Sequence, residues 1–148
     1  MASADNEMYQ QVLLEHARSP RNFQELPSAT SRAEGFNRLC GDRITVYLIV
    51  KNETVVGASF SGESCAICKG TASMMLLSIK DQPLVAVRGL IDAFKEFQVA
   101  WQNGDPLMKD FEALAAIKEY PTRLKCLNLP WKTLEAAMQG TDDEVSTE

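Results

Sequence analysis

Between Ile44 and Ser61 the chain carries a pattern that fixes much of what can surround it. Ile44, Val46, Leu48 and Val50 alternate with Thr45, Tyr47 and Ile49, the period of a β-strand. Lys51-Asn52-Glu53 then turns the chain into a second extended run, Thr54 to Ser61, as an antiparallel neighbour. Cys40 stands just before the first strand and Cys65 just after the second, so hairpin geometry brings both thiols to the same end. Cys40 and Asp42 are separated by Gly41 alone. In extended backbone, positions i and i+2 point to one side, so this thiol and this carboxylate can converge on a single atom while the glycine lets the backbone turn. A metal ion is the candidate for that atom.

The 148 residues suffice for one domain with a substantial core, so a metal is not needed simply to staple the fold. Residues 1–140 read as that domain, and residues 141–148 as an acidic tail expected to be disordered. The net charge of −5 comes mostly from Asp142, Asp143, Glu144 and Glu148 in the tail, leaving a nearly neutral body. With no Lys/Arg run or basic stripe, neither nucleic acid nor an anionic membrane is expected as the principal partner. No leader-like segment opens the sequence and no stretch is apolar enough to span a bilayer, which predicts a cytoplasmic protein. In that reducing compartment Cys40, Cys65, Cys68 and Cys126 read as ligands, nucleophiles or buried thiols rather than as two disulfides.

Helical periodicity accounts for most of the remainder. Met8, Tyr9, Val12, Leu13 and His16 form one amphipathic helix that Ser19-Pro20 ends. Arg21 to Leu39 is polar and irregular, with one strand around Ala29 to Ala33. After Cys65 a helix carries Ile67, Met74, Met75, Leu77 and Ile79; Pro83 opens another that runs past Phe94, Phe97 and Trp101 to Asn103-Gly104. A third is expected from Pro106 to Ile117. Pro121 and Pro130 should bracket a short turn of helix holding Cys126, with a last helix from Trp131 to Met138. The expected class is α+β: a small antiparallel sheet of about three strands with helices packed on one face.

A closed zinc site takes four ligands, usually Cys or His and sometimes Asp, and Cys40, Asp42 and Cys65 supply three. Cys126, at a helix start where backbone N–H groups favour thiolate, is either the fourth or a buried apolar thiol. Cys65-x-x-Cys68 is either a redox pair, half of a zinc knuckle, or two structural thiols one helical turn apart. His16, the only histidine, is left out of the site as a packed or solvated residue.

Four motifs in order carry a family resemblance. They are Tyr9-x-x-Val12-x-x-x-His16 followed by Pro20-Arg21-Asn22; Cys40-Gly41-Asp42-Arg43-Ile44; Gly62-Glu63-Ser64-Cys65-Ala66-Ile67 running on to Ala72-Ser73-Met74-Met75; and Pro121-x-Arg123-x-Lys125-Cys126 with Trp131 beyond. Over about residues 8 to 138 the chain resembles the IscU/NifU N-terminal family and is most similar to its SufU branch. IscU-type scaffolds have a histidine directly before the last cysteine, where this chain has Lys125, and Pro83 to Pro106 looks like the extra segment of SufU-type proteins. The chain departs from the family pattern at Asn37-Arg38, Ser64 and Cys68-Lys69.

The resemblance implies iron–sulfur cluster biogenesis. It implies zinc, with a transient [2Fe–2S] cluster or iron as further cargo, bound by Cys40, Asp42, Cys65 and Cys126. It also implies a persulfide acceptor role for Cys40, with a SufS-like cysteine desulfurase as donor and downstream iron–sulfur assembly proteins as recipients. Two alternatives stand beside it: a scaffold on which a [2Fe–2S] cluster is assembled, and a structural zinc module that displays a surface to a partner.

Overall fold

The computed structural model describes residues 4–38, 40–103, 123–140 and 145–146, with side chains for 11–38, 40–100 and 123–140. In order along the chain these form α1 (Ala4–Arg18), β1 (Ser31–Asn37), β2 (Asp42–Lys51), β3 (Thr54–Glu63), α2 (Ala66–Ile79), α3 (Leu84–Asn103), α4 (Leu124–Met138) and β4 (Val145–Ser146). The expected helix from Pro106 to Ile117 lies outside the described residues. The sheet has the order β3-β2-β1-β4, antiparallel through its first three strands, with helices on one face; this is the α+β class read from the sequence.

The β2–β3 hairpin closes on the pair Lys51↔Thr54. Its two loop residues, Asn52 and Glu53, have φ of 51° and 59°, the left-handed pair whose twist suits a two-residue hairpin. On β2, Asp42, Ile44, Val46 and Leu48 are all buried, so the carboxylate continues the inner face that the aliphatic side chains define. Opposite them, β1 turns Ala33, Gly35 and Asn37 inward, and β3 contributes Ala58 and Phe60.

The helices cover this face. Met75, Leu76 and Ile79 of α2, Phe94 and Phe97 of α3, and Leu127, Leu129, Trp131 and Leu134 of α4 complete the core. The Phe94 and Trp131 rings stack with centroids 4.9 Å apart. Two glycines set how closely layers approach. A side chain at Gly70 would meet the Leu13 carbonyl of α1 at 2.6 Å, and one at Gly35 would run into Thr133 of α4. At the α1–α2 junction, the buried Ser73 hydroxyl lies 2.7 Å from His16 Nδ1 and accepts the Arg21 backbone N–H at 2.8 Å. His16 is therefore a packed junction residue, with a pKa lowered by burial and then by the neighbouring Arg21 charge.

Two expectations need correction. The strand expected around Ala29 to Ala33 runs from Ser31 to Asn37 and pairs along its length with β2. Pro130 does not divide the last helical region: it lies inside α4, where its missing N–H forgoes a bond to the Cys126 carbonyl, and it is buried. At the C-terminal side, Val145–Ser146 lie parallel to β1 opposite Gly35 and Phe36.

Candidate metal centre

One end of the sheet gathers three of the four proposed ligands and places the fourth beside them. Asn37 and Asp42 face each other as the last paired residues of β1 and β2, and the intervening turn carries Cys40. Gly41, at φ 69°, supplies the left-handed residue that brings the chain back into β2. Cys65 stands where β3 passes into α2, as the cap residue of that helix. Cys126 lies in the first turn of α4, which crosses over β1 and β2.

The donor atoms of Cys40, Asp42 and Cys126 all lie within 4.8 Å of one another. The Cys40 and Cys126 sulfurs are 3.0 Å apart. Asp42 is 2% exposed; its Oδ1 accepts the Cys65 backbone N–H at 2.6 Å, while Oδ2 lies 3.6 Å from the Cys65 sulfur. The Cys126 thiol bonds to Cys65, and this pushes the Cys65 pKa down to about 7. Burial opposes that shift, and the Cys68 backbone N–H, 3.5 Å from the Cys65 sulfur, assists it. Cys126 conversely holds its proton far more strongly than an ordinary thiol, first through the bond to Cys65 and then through burial.

Arg123 supplies positive charge. Its Nη1 lies 3.3 Å from the Cys40 sulfur and 4.0 Å from that of Cys126. Asn37, fully buried, points Nδ2 at the Cys126 sulfur over 4.0 Å. The sequence carried Arg123 within its last motif but did not point to Asn37 at this site; the available signal was an amide at an inward position of a strand, where an apolar residue would ordinarily stand. Cys68 is fully buried one turn into α2, and burial raises its pKa well above the usual thiol range.

Three thiols and a carboxylate are a donor set suited to a borderline-soft divalent ion such as zinc, and the sulfur-rich composition disfavours magnesium or calcium. Neighbouring groups already contact three of these donors: the Cys65 N–H holds Asp42, and Arg123 faces Cys40 and Cys126.

An α+β domain with thiols and a buried carboxylate gathered at one sheet end defines a class of protein built around a candidate sulfur-rich metal centre. Residues 8–127 match the NifU-like N terminal domain, and the chain belongs to that family. An iron–sulfur cluster assembly scaffold protein IscU from Thermotoga maritima is 35% identical over 132 residues, spanning 89% of this chain and 93% of the relative. A zinc-dependent sulfurtransferase SufU from Bacillus subtilis is 33% identical over 129 residues, spanning 86% and 87%. Solved structures share the fold. FiSufU from Fervidobacterium islandicum AW-1, described as a SUF-system iron–sulfur assembly scaffold, superposes with a TM-score of 0.75 at 24% identity, covering 90% of this chain and 98% of that one. A NifU-like N-terminal protein from Brucella abortus gives 0.72 at 18% identity, with 93% and 96% covered.

Proposed function

We propose that this chain serves iron–sulfur cluster assembly as a persulfide acceptor, with Cys40 taking sulfur from a cysteine desulfurase of the SufS kind and passing it to downstream assembly proteins. Cys40, Asp42, Cys65 and Cys126 would hold zinc, whose chemistry when bound is to keep thiols deprotonated at neutral pH. The observation that carries the proposal is the convergence of Cys40, Asp42 and Cys126 within 4.8 Å, with Cys65 tied to Asp42. Relationship to SufU of Bacillus subtilis, a zinc-dependent sulfurtransferase, supports the choice of reaction.

The roles divide by element. Cys40 sits half-buried on a hairpin turn, so its sulfur can reach a partner, whereas Cys126 is fully enclosed. As nucleophile, the Cys40 thiolate attacks the terminal sulfur of the donor persulfide; a new S–S bond forms on Cys40 as the donor's S–S bond breaks, and the donor cysteine leaves as thiolate. The guanidinium of Arg123, 3.3 Å away, favours the anionic sulfur before and after transfer. Asp42 is the positioning member, buried and bonded to backbone, and holds the β2 end of the site in place.

Relationship to the IscU scaffold of Thermotoga maritima supports a second reading, in which the same thiols receive a [2Fe–2S] cluster as cargo. One comparison separates the two. Protein purified with about one zinc per chain that raises desulfurase turnover in the presence of a thiol reductant supports sulfur transfer. A stable coloured cluster without stimulation supports the scaffold, and zinc without stimulation leaves a structural module.

A further inference from the structure

Cys68 is the one cysteine outside the proposed ligand set, yet its backbone is bonded to a member of it. Cys65 caps α2 in extended conformation, φ −68° and ψ 165°, so its side chain folds back over the first helical turn. There its sulfur accepts the Cys68 backbone N–H at 3.5 Å. The cap sulfur therefore lies directly against the residue that carries the second thiol. Both belong to one helix start, three residues apart at the cap and first turn of α2. The two thiols differ in access: Cys65 is partly exposed, whereas Cys68 is fully buried. The one faces reagents, and the other is shielded from them until its neighbour has reacted.

We infer that Cys65 and Cys68 form a dithiol that a hydroperoxide closes into a disulfide. In the first step the Cys65 sulfur attacks the terminal peroxide oxygen; the O–O bond breaks, the departing alkoxide or hydroxide takes the Cys65 thiol proton and leaves as alcohol or water, and Cys65 becomes a sulfenic acid. In the second, the Cys68 sulfur attacks the Cys65 sulfur, the S–O bond breaks, and the departing hydroxide takes the Cys68 proton to form water. The two thiols lose two electrons and the peroxide gains them. The bridge removes the Cys65 thiolate from the donor set beside Asp42 and Cys126, so oxidation also lowers metal affinity. That last consequence rests on the proposed ligand set; the bridge itself does not.

Mass mapping tests this cleanly because the cysteines fall in different tryptic fragments. Cys65 and Cys68 share residues 52–69, Cys40 lies in 39–43, and Cys126 in 126–132. Full-length protein, reduced and stripped of metal, is treated with a modest excess of hydrogen peroxide, alkylated and digested. The expected product is the 52–69 fragment two hydrogens lighter and unalkylated, restored by a thiol reductant and absent in Cys68→Ser. A cross-linked fragment joining 39–43 to 126–132, or over-oxidation of Cys65 with Cys68 still alkylated, would overturn the inference. Zinc titration of the oxidised and reduced forms against a chromophoric chelator supplies the second readout, with affinity expected to fall about tenfold or more on oxidation. A bridge that forms while affinity stays unchanged would remove Cys65 from the ligand set and leave the dithiol standing.

Discussion

Asp42 Oδ1 accepts the backbone N–H of Cys65 at 2.6 Å, joining the first residue of β2 to the cap of α2. One carboxylate thus faces the thiols and fixes the strand-to-helix corner from which one of them projects. In the proposed donor set, a hard oxygen among soft sulfurs would be the ligand to loosen first on chemical grounds. Its burial and this bond instead make Asp42 the anchored member and leave Cys40, on its turn, as the one with room to move.

Asp42→Ala should therefore be costly twice. Loss of the acceptor for the Cys65 N–H destabilises the fold by about 1–3 kcal/mol, and zinc affinity falls as a donor and its orienting bond are lost together. Urea denaturation and chelator competition measure the two effects. Unchanged zinc affinity would place Asp42 outside the donor set.

Cys40→Ala should leave the fold intact, because Cys40 lies on a turn and only packs against the margin of the core. Sulfur acceptance, read as desulfurase stimulation and as persulfide on the intact protein, should drop to background. A folded variant that still accepted sulfur would exclude Cys40 as the nucleophile.

Gly70→Ala tests the helix contact that carries α1. The added methyl would sit 2.6 Å from the Leu13 carbonyl, and backbone at that position cannot turn aside as a flexible side chain would. A loss of about 1–3 kcal/mol is expected from overpacking, with zinc stoichiometry unaltered because the centre lies at the sheet end and not at this junction.

Burial and Arg21 lower the His16 pKa below its unfolded value near 6.5, so the folded protein favours the neutral ring. The unfolded chain then binds more protons as acidity rises, and the His16 contribution to stability, complete above the unfolded pKa, is lost as pH falls below it. In metal-free protein the urea midpoint should decline from about pH 7 to about pH 5, and His16→Gln should flatten that slope. An identical slope in the variant would assign the decline to other groups.

How much of this was legible in the sequence depends on how well each segment keeps to one period. β2 and β3 were readable because Ile44, Val46 and Leu48 alternate without interruption. β1 was not, because its inner face is Ala33, Gly35 and Asn37: the glycine that admits α4 looks like a loop signal, and the amide that reaches Cys126 looks like a polar surface residue. Pro130 misled for a related reason. Its ring suggested a helix break, but α4 continues through it, with the proline buried among the apolar residues of that helix. The ligand candidates were legible as residue types; their convergence depends on long-range pairing that only the fold supplies.

The two outer strands of the sheet have a shared consequence. Val145–Ser146 lie along β1, while Asn22-Phe23 and the segment around Gln82-Pro83 bond to β3 at Phe60, Val55 and Thr54. At those positions the backbone has no vacancy for a strand from another chain, and edge-to-edge addition, the commonest route by which small sheets recruit peptides or stick to their own kind, is obstructed. The tip of the β1–β2 hairpin and the starts of α2 and α4 beside it offer a different kind of surface, made of turns and side chains rather than open backbone.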